Sequence, residues 1–177
     1  MKTPFEQEVN SLRADKDSFF RDDIDSPIRP RERANFKGLN YFPPDDSYRV
    51  ASKLERFDTP KLIMIATSTG ISQAYVRYGA FTFEIEGKGL KLFVYKSAED
   101  PFARSLFVPF SDATSGHETY SAGRYLDLEE QGGDDYELDF NMAYNPYCAY
   151  NEEYTCPIPP IENRLPVKIL AGEKNYK

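Results

Sequence analysis

The residues that could perform acid–base or nucleophilic chemistry are concentrated in residues 110–163. This stretch holds the single His of the chain, His117, and both Cys residues, Cys148 and Cys156. Glu118 directly follows His117, and neighbouring side chains in an extended segment point to opposite sides, so a turn would be needed to bring the two together. The candidate catalytic residues are therefore His117 and Glu118 as acid or base, and Cys148 as a nucleophile.

Each candidate also has a structural interpretation. A His in a Gly-rich and Thr-rich loop is more often solvated than catalytic, and two Cys residues eight apart match no redox motif. In a cytosolic protein both thiols are expected to be reduced, and a structural disulfide between them stays open as the alternative. We further expect Tyr147 and Tyr150 to shield Cys148 from reagents. Ser115 lacks the G-x-S-x-G setting that exposes a nucleophilic serine.

A second set of side chains in the same stretch is suited to a polar or anionic ligand. Asn offers both a donor and an acceptor, Tyr a flat face with a hydroxyl, and Arg a fork that fits carboxylate or phosphate. These side chains also close irregular loops by binding backbone groups, which is the more common use. The predicted ligand-binding residues are Tyr120, Arg124, Asn141, Tyr144, Asn145 and Asn163.

Arg124 begins a segment that alternates apolar and polar residues, so its stem is predicted to be partly covered. A guanidinium keeps its charge, and burying it alone costs several kcal/mol. The sequence therefore predicts that Arg124 meets either an anionic ligand or a carboxylate of the chain. The carboxylates considered are those of Glu118, Asp139 and Glu162.

Composition limits the partners and cofactors. One His and no Cys pair at zinc spacing argue against structural zinc. Ca²⁺ or Mg²⁺ bound by Asp and Glu oxygens stays open, but no metal site and no cofactor is predicted. The chain carries 22 basic and 29 acidic side chains, a net charge of −7 that repels nucleic acid and anionic membranes. The first residues lack the apolar core of a signal peptide, and no apolar run approaches the ~18 residues of a spanning helix. A cytoplasmic location is expected, and the oligomeric state stays open.

The elements that must position these residues are one helix followed by strands. Residues 4–22 have the spacing of an amphipathic helix that begins at Pro4, and residues 23–35 form a proline-containing connector. Residues 81–96 alternate on both sides of Gly87–Gly89, which predicts a β-hairpin.

Further short strands bring the predicted total to between eight and ten. Asp58–Pro60 is predicted to be a turn, Gly132-Gly133 to join a second hairpin, and Pro109 to mark a sheet edge or a bulge. The additional strands are predicted at residues 48–57, 61–67, 73–78, 105–110, 124–128, 136–140 and 166–170. The fold class is mainly β, an antiparallel β-sandwich or partly open β-barrel with an N-terminal α-helix. The 177 residues fit one domain, with helix 1–22, connector 23–35 and β domain 36–177.

Three segments give the chain a resemblance to a known family: GLNYFPPDDSYRV, DATSGHETYSAGRYLDL and DFNMAYNPYCAYNEEYTCPIPPIENRLPVKILAGEK. On these segments the chain resembles the bacterial and archaeal proteins grouped as domain of unknown function 1684 (DUF1684). The resemblance covers nearly the whole chain. It supports treating residues 111–163 as one unit, and it implies no activity, cofactor or site residue.

Three functional hypotheses follow from these residues. The first is binding of a small polar or anionic ligand between the 111–125 loop and the 139–163 segment. The second is an enzyme that uses Glu118 or His117 as acid or base in that pocket, which convergence of His117 with Cys148 or Asp139 would favour. The third is a structural or protein-interaction module without a small-molecule site.

Overall fold

The computed structural model describes residues 2–100 and 102–177, and it opens with helix α1, Pro4–Asp22. Thr3 and Glu6 form a reciprocal capping box: the Thr3 side chain accepts the Glu6 N–H at 3.2 Å, and Glu6 Oε2 accepts the Thr3 N–H at 2.6 Å. Pro4 occupies a first-turn position, where no intrahelical donor is lost. The predicted N-terminal helix is confirmed. A second helix of one turn, α2, Pro30–Arg33, lies within the predicted connector.

Six strands form one antiparallel sheet, with the order β5-β4-β3-β2-β1-β6. The strands are β1 Arg49–Ala66, β2 Ser72–Ile85, β3 Lys88–Ser97, β4 Ser105–Phe110, β5 Arg124–Glu129 and β6 Asp135–Asp139. β5 and β6 stand at opposite edges, yet only residues 130–134 join them. A connection that short spans at most about 20 Å, so the sheet must curl until its edges approach. The prediction of a mainly β fold is confirmed, with a nearly closed, barrel-like sheet.

The predicted hairpin of residues 81–96 is confirmed, with a turn slightly earlier than expected. Ile85 pairs with Lys88, which leaves Glu86 and Gly87 as a two-residue turn with φ of 52° and 75°. Two positive φ values define a type I′ turn, whose twist matches that of the flanking strands. The inward side chains of both arms, including Leu92, are buried in the main core.

Three predicted features of the sheet are wrong. Asp58–Pro60 is not a turn, because β1 continues through it with an irregularity between Arg56 and Lys61. Gly132-Gly133 joins no hairpin, because the strands it connects lie at opposite edges. The strand count falls to six in the described ranges, since β1 and β2 each absorb two of the predicted strands and residues 166–170 form none.

Residues 166–170 are extended, but they form no strand of the sheet. Val167 and Ile169 are buried in the core, so the alternation that suggested a strand is real. The backbone of this tail, however, bonds largely to side chains. Asp112 Oδ2 accepts the Ile169 N–H at 2.9 Å, and Arg124 donates to the Ile169 carbonyl at 3.0 Å.

The apolar residues form two separate clusters. The larger fills the barrel, and the smaller consists of Phe20, Ile28, Phe36 and Tyr150 outside it. Phe20 of α1 contacts Tyr150 edge-to-face with ring centroids 5.0 Å apart, so the helix is fastened to the irregular segment 140–163 rather than to the barrel interior. Neither helix in the described part of the chain has the length and apolarity needed to cross a membrane.

Candidate functional site

Asn163 lies where two strands of the sheet stop pairing. β3 and β4 share one paired position, Tyr95 with Phe107, and extending that register would place Phe93 opposite Pro109, which has no N–H. The Asn163 amide fills the gap: Oδ1 accepts the Phe93 N–H at 2.8 Å, and Nδ2 donates to the carbonyls of Phe93 and Pro109 at 2.9 and 2.7 Å. β4 lies between β3 and β5 in the sheet, so of the two alternatives predicted from Pro109, a sheet edge or a bulge, the edge is wrong.

Asn141 and Asn145 are also engaged by backbone. Asn141 Oδ1 accepts the Asp45 N–H at 2.9 Å, and its Nδ2 donates to the Asp45 carbonyl at 2.8 Å. Asn145 Nδ2 donates to the Lys174 carbonyl at 2.9 Å, whereas Oδ1 is buried without a hydrogen-bond partner in the described ranges. These amides hold loops together, the more common of their two expected uses.

Arg124 is almost fully buried, and its terminal nitrogens are occupied by protein groups. Nη2 donates to Asp112 Oδ2 and to the Ile169 carbonyl, each at 3.0 Å. Nη1 donates to the carbonyls of Ala171 and Glu173 at 2.5 and 3.1 Å. The expected carboxylate partner exists, but it is Asp112, and the expectation of Glu118, Asp139 or Glu162 is wrong. Arg124 therefore clamps the C-terminal tail onto the barrel.

His117 lies at the surface, whereas Glu118 is partly buried and its Oε2 has no hydrogen-bond partner in the described part of the chain. His117 is exposed, and none of the hydrogen bonds within residues 2–100 and 102–177 involves its ring. Glu118 Oε1 accepts from Lys168 at 2.7 Å, and this bond lowers the pKa of the Glu118 carboxyl. The structure thus does not bring His117 together with Cys148 or Asp139.

Tyr120 and the two cysteines do converge. The Tyr120 hydroxyl lies 3.6 Å from Cys148 Sγ, and the Cys148 N–H donates to Cys156 Sγ at 3.3 Å. Both thiols are free. The two cysteines, whose spacing matches no recognised redox motif, therefore lie close together in the folded protein.

The strongest candidate for a ligand site is a cavity of about 260 Å³ between α1 and residues 141–144, which we call the helix cavity. Two predicted residues, Asn141 and Tyr144, line it, but its other wall is α1 rather than the 111–125 loop. The side chains with chemical relevance are Arg13, Lys16, Tyr41, Asp127, Tyr144 and Glu173.

Two buried polar atoms of this cavity lack protein partners. Neither Arg13 Nε nor the Tyr41 hydroxyl has a hydrogen-bond partner within residues 2–100 and 102–177. The Arg13 guanidinium lies over the Tyr41 ring, 4.4 Å from its centroid, so the two groups form one unit. Burial lowers the pKa of Arg13 and raises the pKa of Tyr41. Buried polar groups are normally satisfied, so these two donors are available to an acceptor that enters the cavity.

The other charged groups of the helix cavity are engaged. Lys16 Nζ donates to Glu173 Oε1 at 2.5 Å, and Glu173 Oε2 accepts the Asn145 N–H at 2.9 Å. The Tyr144 hydroxyl donates to Asp127. Desolvation of the carboxyl by the surrounding groups raises the pKa of Asp127, although the residue as a whole is exposed.

A second cavity of about 460 Å³, the aromatic cavity, adjoins the first and shares Lys16 and Tyr144 with it. Lys16 Nζ lies 4.8 Å from the Tyr144 ring centroid, so this cation–π pair lines both spaces. The aromatic rings that line the cavity are Phe19, Phe20, Tyr125, Tyr144, Tyr147 and Tyr154.

Sequence reasoning missed Arg13, Lys16 and Tyr41. The available signal was the three-residue spacing of Arg13 and Lys16 on one face of a helix with a sparse apolar stripe. Within residues 2–100 and 102–177, no three His, Cys, Asp or Glu side chains are grouped so that they could hold a metal ion.

Comparison with known proteins identifies a family without a known activity. A family model described as "Protein of unknown function (DUF1684)" matches residues 34–174. The chain is similar to an uncharacterised protein from Haloarcula marismortui, solved by solution NMR, with 39% sequence identity and a TM-score of 0.73. That alignment covers 96% of this chain and 93% of the other. No curated protein matches the chain.

Proposed function

Because the chain belongs to the DUF1684 family, whose description names no activity, we propose a function from the geometry of the helix cavity. The protein binds a small organic acid there, with its carboxylate at Arg13 and Tyr41. The observation that carries this proposal is the pair of buried, unpartnered polar atoms, Arg13 Nε and the Tyr41 hydroxyl, in one cavity. Both can donate to an oxygen acceptor.

The charges around the cavity support an anion rather than a neutral ligand. The Arg13 hydrogen bonds go to carbonyl oxygens, from Nη1 to Phe42 at 2.8 Å and from Nη2 to Asn141 at 3.4 Å. Lys16, by contrast, is neutralised by Glu173. Arg13 therefore contributes a positive charge that a ligand carboxylate can meet, and a guanidinium binds carboxylate strongly.

Asp127 further restricts the class of ligand that the helix cavity can bind. Its carboxyl group lines the same cavity and takes one donor, the Tyr144 hydroxyl. A ligand whose far end carries a hydroxyl or an amine would supply another donor there, whereas a second carboxylate would be repelled. A cavity of about 260 Å³ is close to the lower end of small-molecule sites, roughly 300 Å³. We therefore propose a small hydroxy or amino acid.

The test is an NMR titration with 4-hydroxybenzoate and its uncharged analogue 4-hydroxybenzamide as probes. The ¹H–¹⁵N resonance of Arg13 Nε–H reports directly on the unpartnered donor. We expect 4-hydroxybenzoate to shift this resonance saturably, because its carboxylate supplies an acceptor. We expect the amide to need at least about a tenfold higher concentration for the same shift.

Two variants distinguish binding in the helix cavity from a general attraction of the probe to surface charge. Arg13→Gln is expected to abolish the saturable shifts around Tyr41, while Arg31→Gln, whose side chain is 76% exposed, leaves them unchanged. Equal responses to the acid and the amide, or shifts that survive Arg13→Gln, would show that the proposed anion site is wrong. The alternative of an enzyme at His117 and Glu118 gains no support from this cavity, since neither residue lines it.

A further inference from the structure

Cys148 and Cys156 are eight residues apart in sequence but adjacent in space. Cys148 lies in the 3-10 turn Tyr147–Ala149, and the chain then returns past Tyr154 to Cys156. The Cys148 N–H donates to Cys156 Sγ at 3.3 Å, so the Cys156 sulfur lies against the backbone of Cys148. A disulfide needs Cα atoms within about 7 Å, which this contact favours.

The two thiols have different surroundings. Cys156 is buried, whereas Cys148 is half-buried and opens towards a surface depression that Arg29 and Lys177 also line. The shielding of Cys148 that the flanking tyrosines suggested is therefore incomplete. Hydrogen bonds from Cys156 and then Tyr120 lower the pKa of Cys148 to about 6, and the same pairing raises the pKa of Cys156.

From the contact of Cys156 Sγ with the Cys148 backbone and the unequal exposure of the two thiols, we propose that Cys148 and Cys156 are a peroxide-responsive thiol pair. The Cys148 thiolate attacks one oxygen of hydrogen peroxide, the O–O bond breaks, and hydroxide leaves, so Cys148 becomes a sulfenic acid. The Cys156 thiol then attacks the Cys148 sulfur. The S–S bond forms, the S–O bond breaks, and water leaves with the Cys156 proton.

The electrons of this sequence balance. Each sulfur gives up one electron, and hydrogen peroxide takes up both as it becomes hydroxide and water. A dithiol such as dithiothreitol reverses the change by thiol–disulfide exchange. Oxidation would join the ends of the segment 148–156, which includes Tyr154. Since Tyr154 and Cys156 line the aromatic cavity, the thiol state would fix or release one wall of that cavity.

The experiment measures intact mass and free thiols after hydrogen peroxide is added to the reduced full-length protein. We expect a loss of two hydrogen atoms, no free thiol in the unfolded product, and full reversal by dithiothreitol. Cys156→Ser is expected to stop at the sulfenic acid of Cys148, which dimedone traps. Cys148→Ser should react at least about tenfold more slowly, because burial protects the remaining thiol.

A pH profile identifies the attacking sulfur. The rate of Cys148 alkylation by iodoacetamide should reach half its maximum near pH 6, in line with its lowered pKa. Tyr120→Phe removes a hydroxyl donor 3.6 Å from Cys148 Sγ and should move this midpoint upward. The control is Tyr75→Phe, whose hydroxyl contacts Gln73 instead and whose loss should leave the midpoint in place.

Three outcomes would overturn the proposal. The first is stable sulfinic acid on wild-type Cys148 without loss of two hydrogen atoms. The second is alkylation of Cys156 before Cys148. The third is a disulfide-linked dimer as the main product, because that would pair cysteines of different chains. The Tyr120→Phe profile keeps the test decisive even if a cysteine variant fails to fold.

Discussion

At the scale of single residues, the buried pair of Arg124 and Asp112 is the polar contact on which stability should depend most. Both side chains are essentially inaccessible, at 1% and 0% exposure. Removing one partner leaves the other charge buried and uncompensated, so we predict that Arg124→Ala lowers the free energy of unfolding by about 3–5 kcal/mol. Urea unfolding followed by circular dichroism measures this loss.

The matched control for that variant is Arg104→Ala. Arg104 is 67% exposed and lies 3.5 Å from an exposed Glu129 carboxylate, and exposed pairs contribute roughly 0–1 kcal/mol. If Arg124→Ala cost no more than Arg104→Ala, the clamp on the C-terminal tail would not be a major source of stability.

Glu130 gives a prediction for pH dependence. Its Oε2 accepts from Lys96 at 2.8 Å and its Oε1 from Tyr78, and these bonds lower the carboxyl pKa below its ordinary 4.5. A lowered folded-state pKa stabilises the protein above about pH 4.5, and this stability is lost as the pH falls through the folded-state value. Glu130→Gln should therefore cost about 1–2 kcal/mol at pH 7 and progressively less below pH 4.5.

Urea unfolding at several pH values between 3 and 7 tests this dependence. The neighbouring variant Glu129→Gln is the control, because Glu129 is 75% exposed and should change stability little at any pH. A Glu130→Gln effect that stayed constant down to pH 3 would mean that the carboxylate charge is not what Lys96 and Tyr78 stabilise.

At the scale of elements, the C-terminal tail depends on a close backbone approach at Gly172. Its φ is +77°, and a Cβ there would lie 2.6 Å from the Ala143 carbonyl oxygen and 2.8 Å from that of Phe140. Gly172→Ala should therefore add a steric clash to the cost of a left-handed backbone. We predict a loss of about 3 kcal/mol or more in the free energy of unfolding.

Gly87→Ala separates these two costs. Gly87 has nearly the same φ, +75°, but a Cβ there would meet nothing within 4 Å. Only the left-handed backbone is then penalised, by about 1 kcal/mol, and thermal or urea unfolding of the two variants gives the difference. Similar losses for both would mean that the tail moves away from Ala143 at little cost.

The elements also show how much of the fold can be predicted from sequence. Alternation around Gly87 sufficed for the hairpin because its signal is local. The run of residues 58–60 was misread because a bulge and a turn draw on the same residue types. The tail of residues 166–170 has the alternation of a strand, but the backbone of Ile169 bonds to the side chains of Asp112 and Arg124, which no local pattern shows.

The candidate site was less predictable than the fold. Arg13, Tyr41 and Asp127 meet in one cavity although they are far apart in sequence. Single-residue types pointed to Tyr144 and Asn141, which do line it, but the contribution of α1 depends on how the helix docks. That docking rests on Phe20 and on Lys16 reaching the buried Glu173, and these are long-range contacts.

At the scale of the whole molecule, the two apolar clusters predict two levels of stability. Phe20 is 1% exposed in the smaller cluster, and Phe→Ala in a core costs about 3–5 kcal/mol. Since this cluster lies outside the barrel, we predict that Phe20→Ala accelerates amide hydrogen exchange in α1 and residues 147–150. Amides of β2 and β3 around Phe81 and Leu92 should keep most of their protection.

Hydrogen exchange with mass spectrometry resolves the two regions. Phe102→Ala is the matched control, because Phe102 is 93% exposed and its truncation should alter neither region. Uniform acceleration of exchange across α1 and the barrel after Phe20→Ala would show that helix and barrel unfold as one cooperative unit.

The Asn163 amide has a consequence for the mechanics of the sheet. Between β3 and β4 it substitutes for peptide hydrogen bonds that Pro109 cannot make, so one side chain bridges a ladder of which a single paired position remains. Elastic compliance in a sheet is greatest where the fewest bonds cross it. The β4–β5 pair should therefore bend as a unit relative to the β3-β2-β1-β6 portion of the sheet. The hydrogen bonds of Asn163 should set the stiffness of that bend.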